Sequence, residues 1–114
     1  MYLSVIPDKN YFLAESNGYL SIDYAELVTY MRDKTSYMTY IDIFDKLSAD
    51  DYYNTDTHWR QECITDVAEY IGESMGVDVK AEYTENTLDN PFYGVYYGQS
   101  ALPFRPDVLK YLTN

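Results

Sequence analysis

Cysteine, histidine and tryptophan each occur once in this 114-residue chain, and 8 basic residues stand against 19 acidic ones. A lone Cys63 excludes an internal disulfide and any metal site built on cysteine pairs. With a single imidazole, only carboxylates remain as further metal ligands, and Asp56-x-His58 has no third ligand at a recognisable spacing. The formal charge of −11 argues against nucleic acid as a partner, because binding phosphates needs a basic face, and against an anionic membrane surface. No apolar run approaches the length of a membrane span. The opening Met1-Tyr2-Leu3-Ser4-Val5-Ile6-Pro7 has neither the basic leader nor the long apolar stretch of a signal peptide. No glycine-rich phosphate loop occurs: Gly72 and Gly76 fall at a helix end, and Gly94 and Gly98 lie in a tyrosine-rich segment. No serine stands in a Gly-Asp-Ser or Gly-x-Ser-x-Gly context, and Ser100 is the least unlike a nucleophile. No motif asks for a cofactor.

What is abundant is tyrosine, with 15 copies against 4 phenylalanines. An apolar ring with a polar tip suits half-buried sheet edges and sugar-lined clefts alike, and the first use is the more common. Hydrophobic residues make up 46% of the chain, enough for one domain over residues 1–114. The acidic residues are scattered singly, as on a solvated surface.

The pattern along the chain alternates between strand and helix. Residues 2–6 are a β-favouring run ended by Pro7, with turn chemistry in Asp8-Lys9-Asn10. A helical turn is expected over 11–14, and Asn17-Gly18 marks a turn. Asp23 is an N-cap for a helix to Lys34, with Tyr24, Leu27, Tyr30 and Met31 on one face. Residues 37–41 read as a second strand, and 43–47 as a short helix or turn. A helix over 60–75 carries the stripe Ile64, Val67, Ala68, Ile71 and Met75, and Gly76 stops it. Further on, 77–83 alternates as a strand would, Asn90-Pro91 marks a turn, and 92–99 suggests a strand or hairpin arm. Pro106 opens a last predicted helix through Leu112. The early order predicts an α/β fold, a layered sheet with mostly parallel strands. Sites in such sheets lie past the strands' carboxyl ends, where Pro7-Asp8-Lys9 falls.

Chemistry concentrates in Tyr52-Tyr53-Asn54-Thr55-Asp56-Thr57-His58-Trp59. An Asp two residues before a His can hold one ring nitrogen and leave the other free as a general base. The plainer alternative is that Asp56 caps the following helix and His58 faces solvent. Lys9, after the first strand, either binds an anionic group or is a solvated turn lysine.

This run resembles the signature of the DHHW family and of the related alginate O-acetyltransferase-like proteins, which are SGNH-hydrolase-like domains. Leu3-Ser4-Val5-Ile6-Pro7-Asp8-Lys9 is similar to the strand and Pro-x-Lys segment that precedes the signature in that family. Asn90-Pro91-Phe92-Tyr93-Gly94 looks like its later Phe-x-Gly segment. Thr57 stands where DHHW proteins have His, and Arg60-Gln61-Glu62 replaces the Thr-Pro-type residues and following glycine of many relatives. The resemblance implies a flavodoxin-like SGNH fold, here expected to be incomplete, with the chain a portion of a larger domain. It implies that Asp56 orients His58, that His58 is the catalytic base, and that Lys9, Tyr53 and Trp59 contact substrate. The substrate would be an acyl ester on a surface or cell-wall polysaccharide, which implies an extracytoplasmic or cell-surface location. The family's nucleophilic serine lies in a Gly-Asp-Ser segment further along, which this sequence does not contain. A non-catalytic glycan- or protein-binding module, contacting through its tyrosines, is the alternative. Half a layered sheet is further expected to self-associate or to pair with a complementing chain segment.

Overall fold

A computed structural model describes all residues from Met1 to Asn114. It is a small α/β fold of four helices and two two-stranded sheets. The first half runs β1 (Tyr2–Leu3), α1 (Asn10–Asn17), α2 (Tyr24–Lys34) and β2 (Thr39–Tyr40), and β1 pairs parallel to β2. The second half holds α3 (Thr65–Ser74), β3 (Thr84–Phe92), α4 (Val95–Ser100) and β4 (Asp107–Thr113), with β3 and β4 antiparallel. The strands therefore form one parallel pair and one antiparallel pair, in separate sheets.

Local signals account for the first half. The Asp23 side chain accepts the Glu26 N–H at 2.9 Å, so α2 starts and stops where the sequence predicts. Gly76 takes a left-handed conformation (φ +75°) just past α3, which suits its lack of a Cβ. Helix α3 itself begins at Thr65 rather than residue 60. The Arg60 N–H donates to the Asp51 carbonyl at 2.7 Å, so Arg60 stays extended and Gln61–Cys63 forms a 3-10 turn first.

Four expectations in the second half are corrected. Residues 77–83 form no strand, Asn90-Pro91 lies within β3 rather than in a turn, residues 95–100 are helical, and residues 107–113 are a strand. Pairing explains the last: β4 runs alongside β3 from Thr84↔Thr113 to Phe92↔Asp107, with an irregularity between Thr87 and Pro91. Pro91 lacks an N–H to donate, and the break in register lies beside it. The Leu112 N–H also donates to the Gln61 side chain at 3.0 Å, tying the strand to the turn before α3.

The core is small. Ile41, Ile43, Leu47 and Val67 form it, with Phe12, Trp59, Ile64, Tyr70 and Ile71 packed around them. Beside it, Tyr11, Tyr24 and Phe44 meet edge to face at centroid distances of 4.9 to 5.7 Å. The molecule measures 46 × 40 × 19 Å and exposes 8184 Å². A compact domain of this mass would expose about 6,500 Å². Such a flat shape leaves Leu20, Ile6 and Tyr19 largely in solvent. No helix is long and apolar enough to cross a membrane.

With so few buried side chains, each one matters. Ile43 is fully buried, so Ile43→Ala is expected to lower the unfolding free energy by about 2–5 kcal/mol, read from urea denaturation. A change below about 0.5 kcal/mol would mean that this cluster is not the stabilising core.

Candidate active site

The loop from Tyr52 to Trp59 is closed at its base. Tyr52 and Trp59 form an isolated antiparallel bridge, and the Tyr53 N–H donates to the His58 carbonyl at 3.1 Å. At the loop's turn the Asp56 side chain makes an Asx-type contact: Oδ1 accepts the His58 backbone N–H at 3.0 Å. The same oxygen pairs with Nδ1 of the His58 ring. Oδ2 accepts the Val95 N–H at 3.0 Å, at the start of α4. One buried carboxylate thus orients the imidazole and caps a helix at once. The helix is not the one that follows in sequence: α3 begins at Thr65 with no side-chain cap, and Asp56 reaches α4 instead.

Burial would raise the Asp56 pKa. The His58 ring and the Val95 and His58 backbone N–H groups outweigh it and hold the carboxyl down at about 2. Asp56 is therefore ionised at neutral pH. The His58 side chain is 81% exposed. Its Nδ1 is engaged with Asp56, and Nε2 has no partner in the protein. The ring lines an open cleft of about 450 Å³, with Ile6, Pro7, Asp8, Tyr52, Thr57 and Trp59. No serine or cysteine lines this cleft. The Tyr52 hydroxyl is already committed, donating to the Pro7 carbonyl at 2.6 Å.

Three distant segments hold the loop in place. The Asp107 carboxylate accepts the Asn54 N–H at 2.9 Å, the Thr55 N–H at 2.7 Å and the Thr55 hydroxyl at 2.6 Å. Thr55 Oγ1 in turn accepts the Gly94 N–H at 2.9 Å, and the Thr55 carbonyl accepts the Tyr96 N–H at 3.0 Å. Gly94 packs so closely that a Cβ there would press into the Thr55 carbonyl oxygen and Asp56 Cβ, and come within 2.6 Å of Asp56 Oδ2. From the other side, the Lys9 ammonium donates to the carbonyls of Tyr53 and Asn54 and lies over the Tyr96 ring. Burial lowers the Lys9 pKa, against the pull of Asp107 and Asp56.

The expected site residues therefore separate. His58 and Trp59 line the cleft with Asp56 buried against the Nδ1 side of the imidazole, although Trp59 also packs against the core. Tyr53 does not reach it: the residue is buried and its ring packs on Phe92 at 5.2 Å. Lys9 lies against the underside of the loop and lines a different cleft. Asp107, read as part of a helix start, Thr55, within the Asp-x-His run, and Val95 were given no site role in the sequence, because contacts between segments about forty to fifty residues apart give no local pattern. Gly94 was marked only as the glycine of the Phe-x-Gly resemblance. No group of three or more His, Cys, Asp or Glu side chains comes together in a metal-binding arrangement. No family model, curated protein or solved structure matches the chain.

The depressed carboxylates carry a pH dependence. A folded pKa near 2 against an ordinary 3.8 means that Asp56 stabilises the fold above about pH 4, and that this stability is lost as pH falls toward 2. The shift corresponds to at most about 2 kcal/mol, because His58 is exposed. Asp107 acts in the same direction: burial would raise its pKa, but Thr55, Asn54 and Lys9 hold it down. Urea unfolding of wild type is expected to weaken across this window, and Asp56→Asn to flatten the dependence. An unchanged slope in Asp56→Asn would remove Asp56 from the account.

Proposed function

We propose that this chain carries the acid–base half of an SGNH-like esterase or O-acyltransferase site acting on O-acyl groups of a surface or cell-wall polysaccharide. One observation carries the reading: a buried, ionised Asp56 grips Nδ1 of His58 and leaves Nε2 free at an open cleft. The layered, mostly parallel sheet belongs to the same proposal, with β1 and β2 as its parallel pair. The close fit of Gly94 against Asp56 adds support, since the resemblance marks that segment too.

In this mechanism a serine hydroxyl from another chain segment attacks the ester carbonyl carbon. His58 Nε2 takes the hydroxyl proton, and Asp56 stabilises the resulting imidazolium without itself being protonated. Collapse of the tetrahedral intermediate breaks the ester C–O bond, and the leaving alkoxide takes the proton from His58. Water, or an acceptor hydroxyl, then attacks the acyl-serine with His58 again as base, the acyl C–O bond to the serine breaks, and the serine oxygen takes the proton back from His58. Donors for the oxyanion would come with the serine. Such a protein would work outside the cytoplasm or at the cell surface, where polysaccharides are modified.

The test is acetyl-ester turnover by the protein in its native context, wild type against His58→Ala and Asp56→Asn. Losing the base is expected to lower the rate about 10²–10⁴-fold, and losing its orienting carboxylate to lower it as well. Equal rates in wild type and His58→Ala would remove the imidazole from the chemistry.

A second reading, a non-catalytic binding module, is favoured by the absence of a serine or cysteine from the cleft. The two readings part on association. If a complementing strand brings the serine, the exposed edges of the β1–β2 pair and the flat apolar surface are expected to drive self-association or capture of that segment. Sedimentation would then give a species heavier than 13.4 kDa. A monomer that unfolds cooperatively at high concentration would contradict the incomplete-sheet proposal.

A further inference from the structure

The largest cleft in the molecule is not the one beside His58. It has a volume of about 810 Å³, within the ordinary range for ligand sites, and lies between α1, α4 and the Ala49–Asp51 turn. Its lining has an unusual chemistry. Four of its lining residues, Asn10, Asn17, Asn54 and Gln99, carry side-chain amides, and none of these amides donates or accepts a hydrogen bond within the protein. Tyr19 and Tyr96 belong to the same lining.

Charge narrows the ligand class. Lys9 is the only cation in the lining, and its ammonium is already spent on two backbone carbonyls and the Tyr96 ring. Asp50 is the only anion there, and the whole chain carries −11. No cation is free to pair with a carboxylate or phosphate, and the field repels both. What remains is a set of groups that each donate and accept, beside flat aromatic faces. A primary amide pairs through both its N–H and its carbonyl with neighbouring hydroxyls. Tyrosine rings offer an apolar face to the C–H side of a sugar ring and a hydroxyl to its edge.

We propose that this cleft is a binding site for a neutral oligosaccharide, separate from the His58 cleft. It deepens the polysaccharide reading above by naming an uncharged glycan as the chain held. It also stands without the dyad, since a binding module would use the same cleft. Lys9 and Asn54 belong both to its lining and to the support of the 52–59 loop. A glycan seated here would therefore touch the elements that position Asp56.

Titration of the whole 114-residue protein with cellohexaose, xylohexaose and chitohexaose, followed by NMR of the side-chain NH₂ groups, tests this directly. At least one of these neutral probes is expected to shift the Asn10, Asn17, Asn54 and Gln99 signals saturably, with a dissociation constant at or below about 1 mM. Tyr19→Ala and Gln99→Ala, both on exposed positions, are expected to weaken that binding about tenfold each. No saturable shift with any of the three at about 10 mM would overturn the proposal. So would tighter binding of a polygalacturonate oligomer, which would show that the site prefers anions. Ester turnover reads the dyad and these shifts read the cleft, so one can fail without the other.

Discussion

The site depends on a single carboxylate that does no chemistry. Asp107, at the start of β4, gathers three donors from Asn54 and Thr55 and is buried in doing so. Buried carboxylates are costly unless fully hydrogen-bonded, and three donors meet that requirement. Because Thr55 is pinned, its hydroxyl and carbonyl oxygens are fixed acceptors for Gly94 and Tyr96. That places the start of α4 against Asp56, and Asp56 against His58. The order of dependence runs from β4 to the loop, then to α4, then to the imidazole. Without the β3–β4 hairpin, the Asp-x-His pair would be only a local turn.

Tyrosine does much of what a larger aliphatic core would do elsewhere. The Tyr24 hydroxyl accepts the Asp8 N–H at 2.9 Å while its ring packs on Tyr11 and Phe44. The Tyr52 hydroxyl donates to Pro7 while its ring meets Phe12 and Trp59. In both residues the ring contributes apolar burial and the hydroxyl satisfies a backbone group at the exit of β1. A flat molecule has few positions far from water, so side chains that are apolar at one end and polar at the other fit its half-buried layer. The same flatness leaves clefts open on both sides of the segment from Pro7 to Lys9.

Residues 1 to about 75 were largely legible. Helix α2 has its cap in Asp23, the parallel pair falls inside the two predicted strands, and of the expected stripe Val67 is buried with Ile64 and Ile71 packed beside it, while Ala68 and Met75 are exposed. These signals are local, within one or two turns of helix or one short strand. Residues 77–113 were not legible. The Asp107–Thr113 strand opens with an acidic residue after a proline, which together read as a helix start, and its identity is settled by antiparallel pairing with the nine-residue strand β3 upstream. The helix at Val95–Ser100 is short, rich in tyrosine and glycine, and capped by a carboxylate from another segment.

The sequence by itself determined the residue types that chemistry needs: a single imidazole, a carboxylate two positions before it, and no local serine motif. It determined the charge that turns away anions, and the Asx turn that brings Asp56 to His58, because that contact spans only two residues. Tertiary structure alone decided which carboxylates are buried, that Tyr53 turns toward Phe92, and that Lys9 supports the loop rather than facing the His58 cleft. The physical reason is separation along the chain. The contacts that bury Asp56 and fix Thr55 span about forty to fifty residues, and no periodicity or motif in the sequence encodes a hydrogen bond across such a distance.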